Sequence, residues 1–194
     1  MRSDDLLGLW QRRWPRCPPL ADELKHAYRD RWVRFHSLPR SKRYPETADE
    51  YGIVLDRYNT VLDELFTGQE IYLITSDWSN RPEPGARPDD HAQWHPDARY
   101  WTSVCNDPTE TDAEFISYTH LFVSRVPWQH GAVDDLLRAV ADDATAGVMI
   151  ADLALERIHH PYDGGTDVLL RTAAERDTLM HRHAGWLSQH PEGF

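Results

Sequence analysis

The sequence predicts one α+β domain with a mostly antiparallel sheet of about five or six strands and helices mainly on one face. Two observations support this fold class. Short runs of apolar or alternating residues follow one another with turn residues between them. Segments with helical periodicity lie near the two ends of the chain and once between the strands, so the two kinds of element do not alternate strictly. An α/β domain with a parallel sheet is the second interpretation.

The length and composition favour a single core. The chain has 194 residues, of which 40% are hydrophobic, and its 8 Trp and 8 Tyr can supply much of the buried area. We divide it into an N-terminal arm, residues 1–20, and a single α+β domain, residues 21–194. The arm has apolar residues between Leu6 and Trp14 and then three prolines, so we expect it to dock on the domain.

The first half of the domain contains two helices and two strands. Residues 21–32 have the spacing of a short amphipathic helix, and residues 33–38 alternate like a strand that places Arg34 and His36 on one face. A capping box from Thr47 to Glu50 opens the strongest helix, which ends before Gly68. Residues 70–75 predict a strand with two buried faces.

The second half begins with a polar segment, residues 76–98, whose prolines predict a long loop without a helix. Residues 99–105 and 114–126 predict antiparallel strands, and residues 131–143 predict a helix that crosses the sheet. Apolar strand residues recur in 147–152, 155–160 and 167–171. A second capping box at Thr172 opens the last helix.

A hairpin turn is the most structured signal in the chain. The run Asp163-Gly164-Gly165 follows Pro161 and separates two strand-like segments, which predicts a two-residue turn with both glycines at positive φ. Asp163 is typical of such turns because its carboxylate bonds to the turn backbone. The alternative is that Asp163 belongs to a functional site.

The charge is strongly acidic overall and unevenly distributed. The formal net charge is −11, but residues 1–43 carry 11 basic and 5 acidic side chains, which leaves a balance of −17 for the remainder. The basic segment is either a layer that packs on an acidic body or an anion-binding surface around Arg34 to Arg43. The net charge disfavours nucleic acid as a partner.

Several protein classes are disfavoured. Common nucleotide, hydrolase and metalloprotease motifs are absent, so we expect no cofactor. Two cysteines are too few for a disulfide framework, and no apolar run approaches a membrane span. We therefore expect a soluble cytoplasmic protein without membrane association. The sequence does not indicate an oligomeric state.

Two pairs of histidines are candidate metal ligands, 159–160 and 91–95. His159 and His160 stand beside Asp163 and Asp167, but adjacent residues of a strand point to opposite faces, so only one histidine could join such a site. The pair in 91–95 has helical spacing but lies among prolines. We expect no metal at either place.

Two functions from different classes remain open. The first is a non-catalytic binding domain, for example an immunity-like or antitoxin-like protein. It is suggested by the acidic charge of residues 44–194 and by Trp78 and Trp94, which we expect to be exposed. The second is an enzyme acting on an anionic small molecule, with arginines holding the anion and His160 and Asp163 as base and orienter. The candidate binding residues lie in two segments: Arg34, His36, Arg40, Arg43 and Tyr44 in one, and His160, Tyr162 and Asp163 in the other.

Three stretches together resemble an uncharacterised bacterial family of unknown function, related to the one numbered 3885. They are residues 34–45, the helix through residues 57–62, and residues 160–165 with Asp167. The resemblance covers most of the chain from about Trp32 onward. It implies one domain and carries no assigned activity.

Overall fold

The computed structural model describes residues 3–188, and its central feature is one sheet flanked by helices. In chain order, the elements are α1 Ser3–Arg13, α2 Ala21–Ala27, β1 Trp32–His36, α3 Ala48–Phe66, β2 Glu70–Ser79, α4 Asp89–Trp94, β3 Arg99–Cys105, β4 Tyr118–Pro127, α5 Asp134–Ala141, β5 Met149–Asp152, β6 Ile158–Tyr162, β7 Gly165–Leu169 and α6 Ala173–Arg182. Within this range, no helix is long and apolar enough to cross a membrane.

The strands lie in the order β1-β7-β6-β5-β2-β4-β3, and every neighbouring pair is antiparallel. The α+β class and the antiparallel sheet are confirmed. The expected number of strands is wrong, because residues 3–188 contain seven instead of five or six. The short β5 is a strand of its own: the chain turns at Leu155, where φ is 51°, and Ile150 then pairs with His159 of β6.

Helices cover both faces of the sheet, and more of the described helices pack on one face than on the other. The alternating residues of β2 show why both faces are covered. Ile71 and Leu73 pack in a core cluster with α3, α5 and α6, whereas Tyr72 and Ile74 pack in a second cluster with α1 and α2. A strand that is apolar on both sides has to be covered on both sides. The N-terminal arm supplies part of that cover, because Leu6 and Trp10 of α1 and the following Trp14 are buried in this second cluster.

Helix α3 forms as its sequence predicts. The Thr47 side chain accepts a hydrogen bond from the Glu50 backbone at 3.3 Å, which caps the first turn. The buried face of α3 packs on the sheet, and the Tyr58 hydroxyl lies 2.7 Å from the Tyr162 carbonyl and 2.9 Å from the Gly165 carbonyl. Helix α3 therefore contacts the backbone of the β6–β7 hairpin through Tyr58 and holds the hairpin in place.

The proline-rich segment contains a helix that the sequence analysis did not expect. Helix α4 starts directly after Pro88, where proline is tolerated, and has Asp89 and Asp90 in its first turn. Its last residue, Trp94, packs against the core, so the prediction that Trp94 is exposed is wrong. Trp78, by contrast, is 69% exposed.

His159 is fully buried on the α3 face, and its ring lies edge-on to Tyr58 at 5.9 Å between centroids. His160 points to the other face, as the strand pattern predicts. Neither ring nitrogen of His159 has a hydrogen-bond partner. Burial, and secondarily the neighbouring His160, lowers the pKa of His159 to about 3.

This environment predicts acid sensitivity. The ordinary histidine pKa of 6.5 applies to the unfolded chain, so below that pH the unfolded state takes up a proton that folded His159 does not accept until about pH 3. The free energy of unfolding should therefore fall by about 2 to 3 kcal/mol between neutral pH and pH 4. Urea melts across this range should give a flatter pH dependence for His159→Phe, whereas the same change at exposed His181 should leave the slope unaltered. Equal slopes in all three proteins would contradict the assignment.

Candidate functional site

The β1 segment and the β6–β7 hairpin meet at one concave surface, which we call the hairpin cleft. Its volume is about 440 Å³, within the range of small-molecule sites. The lining residues that the sequence singled out are Arg34, His36, Arg43, Tyr162 and Asp163. The lining residues that join them are Asp22, Lys25, Ser41 and Gly164. The two segments that the enzyme hypothesis requires to be adjacent therefore do lie round one cleft.

A buried ion pair forms the floor of the cleft. Arg34 of β1 and Asp167 of β7 are cross-strand partners, and the guanidinium donates to both carboxylate oxygens, at 2.7 and 2.9 Å. Asp167 is 1% exposed, and Lys25 of α2 lies 3.9 Å from its second oxygen. Burial lowers the pKa of Arg34, but the bonds to Asp167 more than offset this effect, so the pKa is raised. Such a bidentate pair fixes both side chains.

The hairpin turn has the predicted length but not the predicted backbone. Tyr162 pairs with Gly165, so Asp163 and Gly164 form a two-residue turn. The expected positive φ at Gly164 and Gly165 is wrong: in residues 3–188, only Gly68, Gly131 and Gly147 are positive-φ glycines. At Gly165 the requirement is space, because a Cβ would lie 2.2 Å from the Phe35 carbonyl oxygen of β1.

Asp163 bonds across the cleft. Its carboxylate accepts a hydrogen bond from Arg43 Nε at 2.6 Å, and its hydrogen bond with Tyr44 raises the pKa of the tyrosine. The Arg43 side chain is 64% exposed, so this pair lies at the rim. Among the described residues, no hydrogen bond joins the Asp163 carboxylate to the backbone of its own turn.

His36 is the one histidine that lines the cleft. Burial is the main reason that its pKa is lowered, and Arg34 adds to the effect. The ring is therefore neutral at pH 7. Its Nε2 atom is buried and has no hydrogen-bond partner, which makes it a polar atom left over at the cleft wall.

Three predicted site residues, Arg40, Tyr44 and His160, lie outside the cleft lining. His160 is 2% exposed, and its Nδ1 donates to the Val148 carbonyl at 2.8 Å. Its Nε2 lies 3.6 Å from Asp22, and the hydrogen bond with His160 is the main reason that the pKa of Asp22 is held below its usual range. The described contacts do not join His160 to Asp163 as base and orienter. Arg40 is exposed on the turn Pro39–Ser41, with φ of 57°.

Helix α2 contributes Asp22 and Lys25 to the cleft, and the sequence pattern does not predict this contribution. Asp22 and Lys25 lie one turn apart on its charged side, which looks like an ordinary solvated face. Nothing in their local pattern connects them with residues more than a hundred positions later. The only signal that could have pointed here is the excess of basic residues before Arg43.

The charges of the cleft are balanced. Lys25, Arg34 and Arg43 are each within ion-pair distance of a carboxylate, from Asp22, Asp163 or Asp167. The arrangement suits a ligand held by hydrogen bonds better than one held by a formal charge. Among the side chains that the structure describes, residues 5–188, no group of three or more His, Cys, Asp or Glu is placed to hold a metal ion.

Comparisons with known proteins give a family and no activity. No curated protein and no solved structure matches the chain. The model of a family described as a domain of unknown function, DUF3885, matches residues 20–191. This range contains the whole hairpin cleft and agrees with the resemblance in the sequence. The chain therefore belongs to the DUF3885 family.

Proposed function

We propose that this protein is a non-catalytic binding domain that holds a small polar ligand, uncharged or zwitterionic, in the hairpin cleft. The observation that carries the proposal is the charge-balanced cleft itself, built from two segments more than a hundred residues apart. The buried Arg34–Asp167 pair fixes its floor, and a site that is already ordered loses less conformational entropy on binding.

The same contacts favour binding over catalysis. A general base needs a free proton acceptor within reach of the substrate. The Asp163 and Asp167 carboxylates are engaged by arginines, and His160 is turned toward Val148. The enzyme alternative retains one supporting observation, the unpartnered Nε2 of neutral His36. An enzyme acting at this cleft would use His36 as the base.

A ligand screen by thermal unfolding tests the proposal. Among amino acids, nucleosides and neutral sugars at millimolar concentration, we expect at least one compound to raise Tm by about 5 °C or more. The shift should shrink in Arg43→Gln and persist in Arg125→Gln, since both arginines are exposed members of ion pairs and only Arg43 lines the cleft. A panel without hits, or equal loss in both variants, would contradict the proposal. Turnover of a hit compound would instead support the enzyme alternative.

Asp163→Ala should separate ligand binding from fold stability. The carboxylate bonds to exposed Arg43 instead of its own turn, and such pairs contribute about 1 kcal/mol or less. We therefore expect a nearly unchanged urea midpoint together with loss of the ligand-induced shift in Tm. A midpoint lowered by about 2 kcal/mol or more would assign Asp163 to the turn.

A protein partner is the second candidate function, and exposed aromatic residues favour it. Trp78 and Phe115 are 69% and 70% exposed. Trp78 pairs with Thr119 near the start of β4, and Phe115 lies three residues before that strand, so both are at the same end of the sheet. The segment between β3 and β4 also carries four acidic residues: Asp107, Glu110, Asp112 and Glu114. A basic partner would complement this surface, as in an immunity-like or antitoxin-like protein.

A pull-down from the source cells tests this second candidate. One protein should be retained in stoichiometric amount by the wild type and by Arg43→Gln, and lost when Trp78 and Phe115 are both replaced by alanine. Absence of a stoichiometric partner would count against it. A cytoplasmic location suits either candidate function, because Cys17 and Cys105 are free thiols.

A further inference from the structure

A second concave site shares no lining residue with the hairpin cleft, and we call it the arginine pocket. Its volume is about 170 Å³. Its lining includes Arg12, Arg13, Trp14, Arg31, Glu156 and Arg171. Four cationic side chains and one carboxylate thus share one small depression in a protein whose net charge is −11.

Most of this positive charge is unpaired. Arg13 pairs with Glu156 at 3.0 Å. Among the side chains of residues 5–188, no carboxylate lies within ion-pair distance of Arg12, Arg31 or Arg171. In the hairpin cleft, by contrast, each cation has an acidic partner. Bringing like charges together raises the free energy of the folded state, and a bound anion would relieve that repulsion.

Contacts of Trp14 and Arg13 hold the wall of the pocket in place. Trp14 is 1% exposed, and its Nε1 donates to the Leu155 carbonyl at 2.8 Å, which docks the end of α1 on the turn before β6. Arg13 Nε donates to the Ala154 carbonyl at 3.2 Å. The Arg31 guanidinium lies over the Trp14 ring, 4.5 Å from its centroid, which keeps this cation at the pocket.

We propose that the arginine pocket binds a compact, multiply charged oxyanion of the phosphate class. Guanidinium groups match phosphate oxygens with two parallel hydrogen bonds. The volume is well below the roughly 300 Å³ at which pockets for drug-sized ligands begin, so the pocket takes a phosphate or diphosphate group and not a whole nucleotide. The net acidity of the chain argues in the same direction, because a nucleic acid strand would meet repulsion beyond the pocket.

Calorimetric titration with pyrophosphate at low ionic strength tests the proposal. We expect binding by the wild type, with Kd raised on the order of tenfold in Arg12→Gln and in Arg171→Gln. Both side chains are exposed, so both variants should fold, which thermal melts check. Arg81→Gln is the matched control, since it removes one exposed arginine elsewhere and should leave Kd unchanged.

Three results would overturn the assignment. They are no binding of pyrophosphate by the wild type, an equal loss of affinity in Arg81→Gln, and tighter binding of a single-stranded oligonucleotide through the same arginines. Titrations with inorganic phosphate and with glycerol phosphate then separate a free ion from a phosphomonoester. A preference for inorganic phosphate and a preference for glycerol phosphate would both support a ligand of the phosphate class.

Discussion

Replacing Asp167 with asparagine should destabilise the protein by about 3 to 5 kcal/mol. Asp167 is 1% exposed, and the Arg34 side chain with which it forms two hydrogen bonds is 14% exposed. Removing the negative charge leaves a mostly buried guanidinium without its partner, and Lys25 loses the same carboxylate. Urea melts at pH 7 measure the loss.

Two companion variants show whether the loss comes from an orphaned charge. The double variant Arg34→Met/Asp167→Leu should recover most of the stability, because it removes both charges together. Glu70→Gln breaks an exposed ion pair between neighbouring strands, with Arg125, and should cost less than about 1 kcal/mol. If Asp167→Asn lost no more stability than Glu70→Gln, the Arg34–Asp167 pair would not fix the cleft floor.

Gly165→Ala should destabilise the protein by about 3 kcal/mol, near the upper end for overpacked sites. The added Cβ would lie 2.2 Å from the Phe35 carbonyl oxygen and 2.9 Å from the Tyr162 hydroxyl, so β1 would have to move away from β7. The backbone oxygen cannot yield as the end of a flexible side chain could. The shift in the urea midpoint gives the magnitude.

Gly164→Ala is the matched control for this substitution. It adds the same methyl group one residue earlier, where the nearest atoms are 3.4 and 3.5 Å away and belong to side chains. We expect a change within about 0.5 kcal/mol. Equal losses in the two variants would show that turn conformation, and not the approach of β1, requires glycine here.

The sequence predicts elements well where the signal is local. Helix α3 follows from its capping box and apolar period, and β1 follows from its alternation. Helix α4 is not predicted, because prolines normally interrupt helices and residues 76–98 contain several of them. Pro88, however, stands just before the helix, where its missing N–H is not needed. The reason for Gly165 depends on a carbonyl 130 positions earlier in the chain, which turn statistics do not include.

The candidate site divides in the same way. The polar residues of the hairpin and of the segment after β1 are unusual enough to be selected from sequence. The ion-pair partner of each of these residues cannot be selected from sequence. Arg34 meets Asp167, and Arg43 meets Asp163, only because β1 pairs with β7. His36 was chosen as one member of a set, and its neutral, unpartnered nitrogen becomes visible only when burial is known.

Two-dimensional NMR of the nitrogen-labelled protein, titrated with each compound that raises Tm, tests the central claim most directly. If the hairpin cleft is the binding site, the largest amide shifts should fall on Arg34, Ser41, Tyr162 and Gly164, with Trp78 unaffected. The Arg43→Gln protein should show weaker shifts at the same positions. Shifts confined to residues outside the cleft, or none with any compound, would contradict the account.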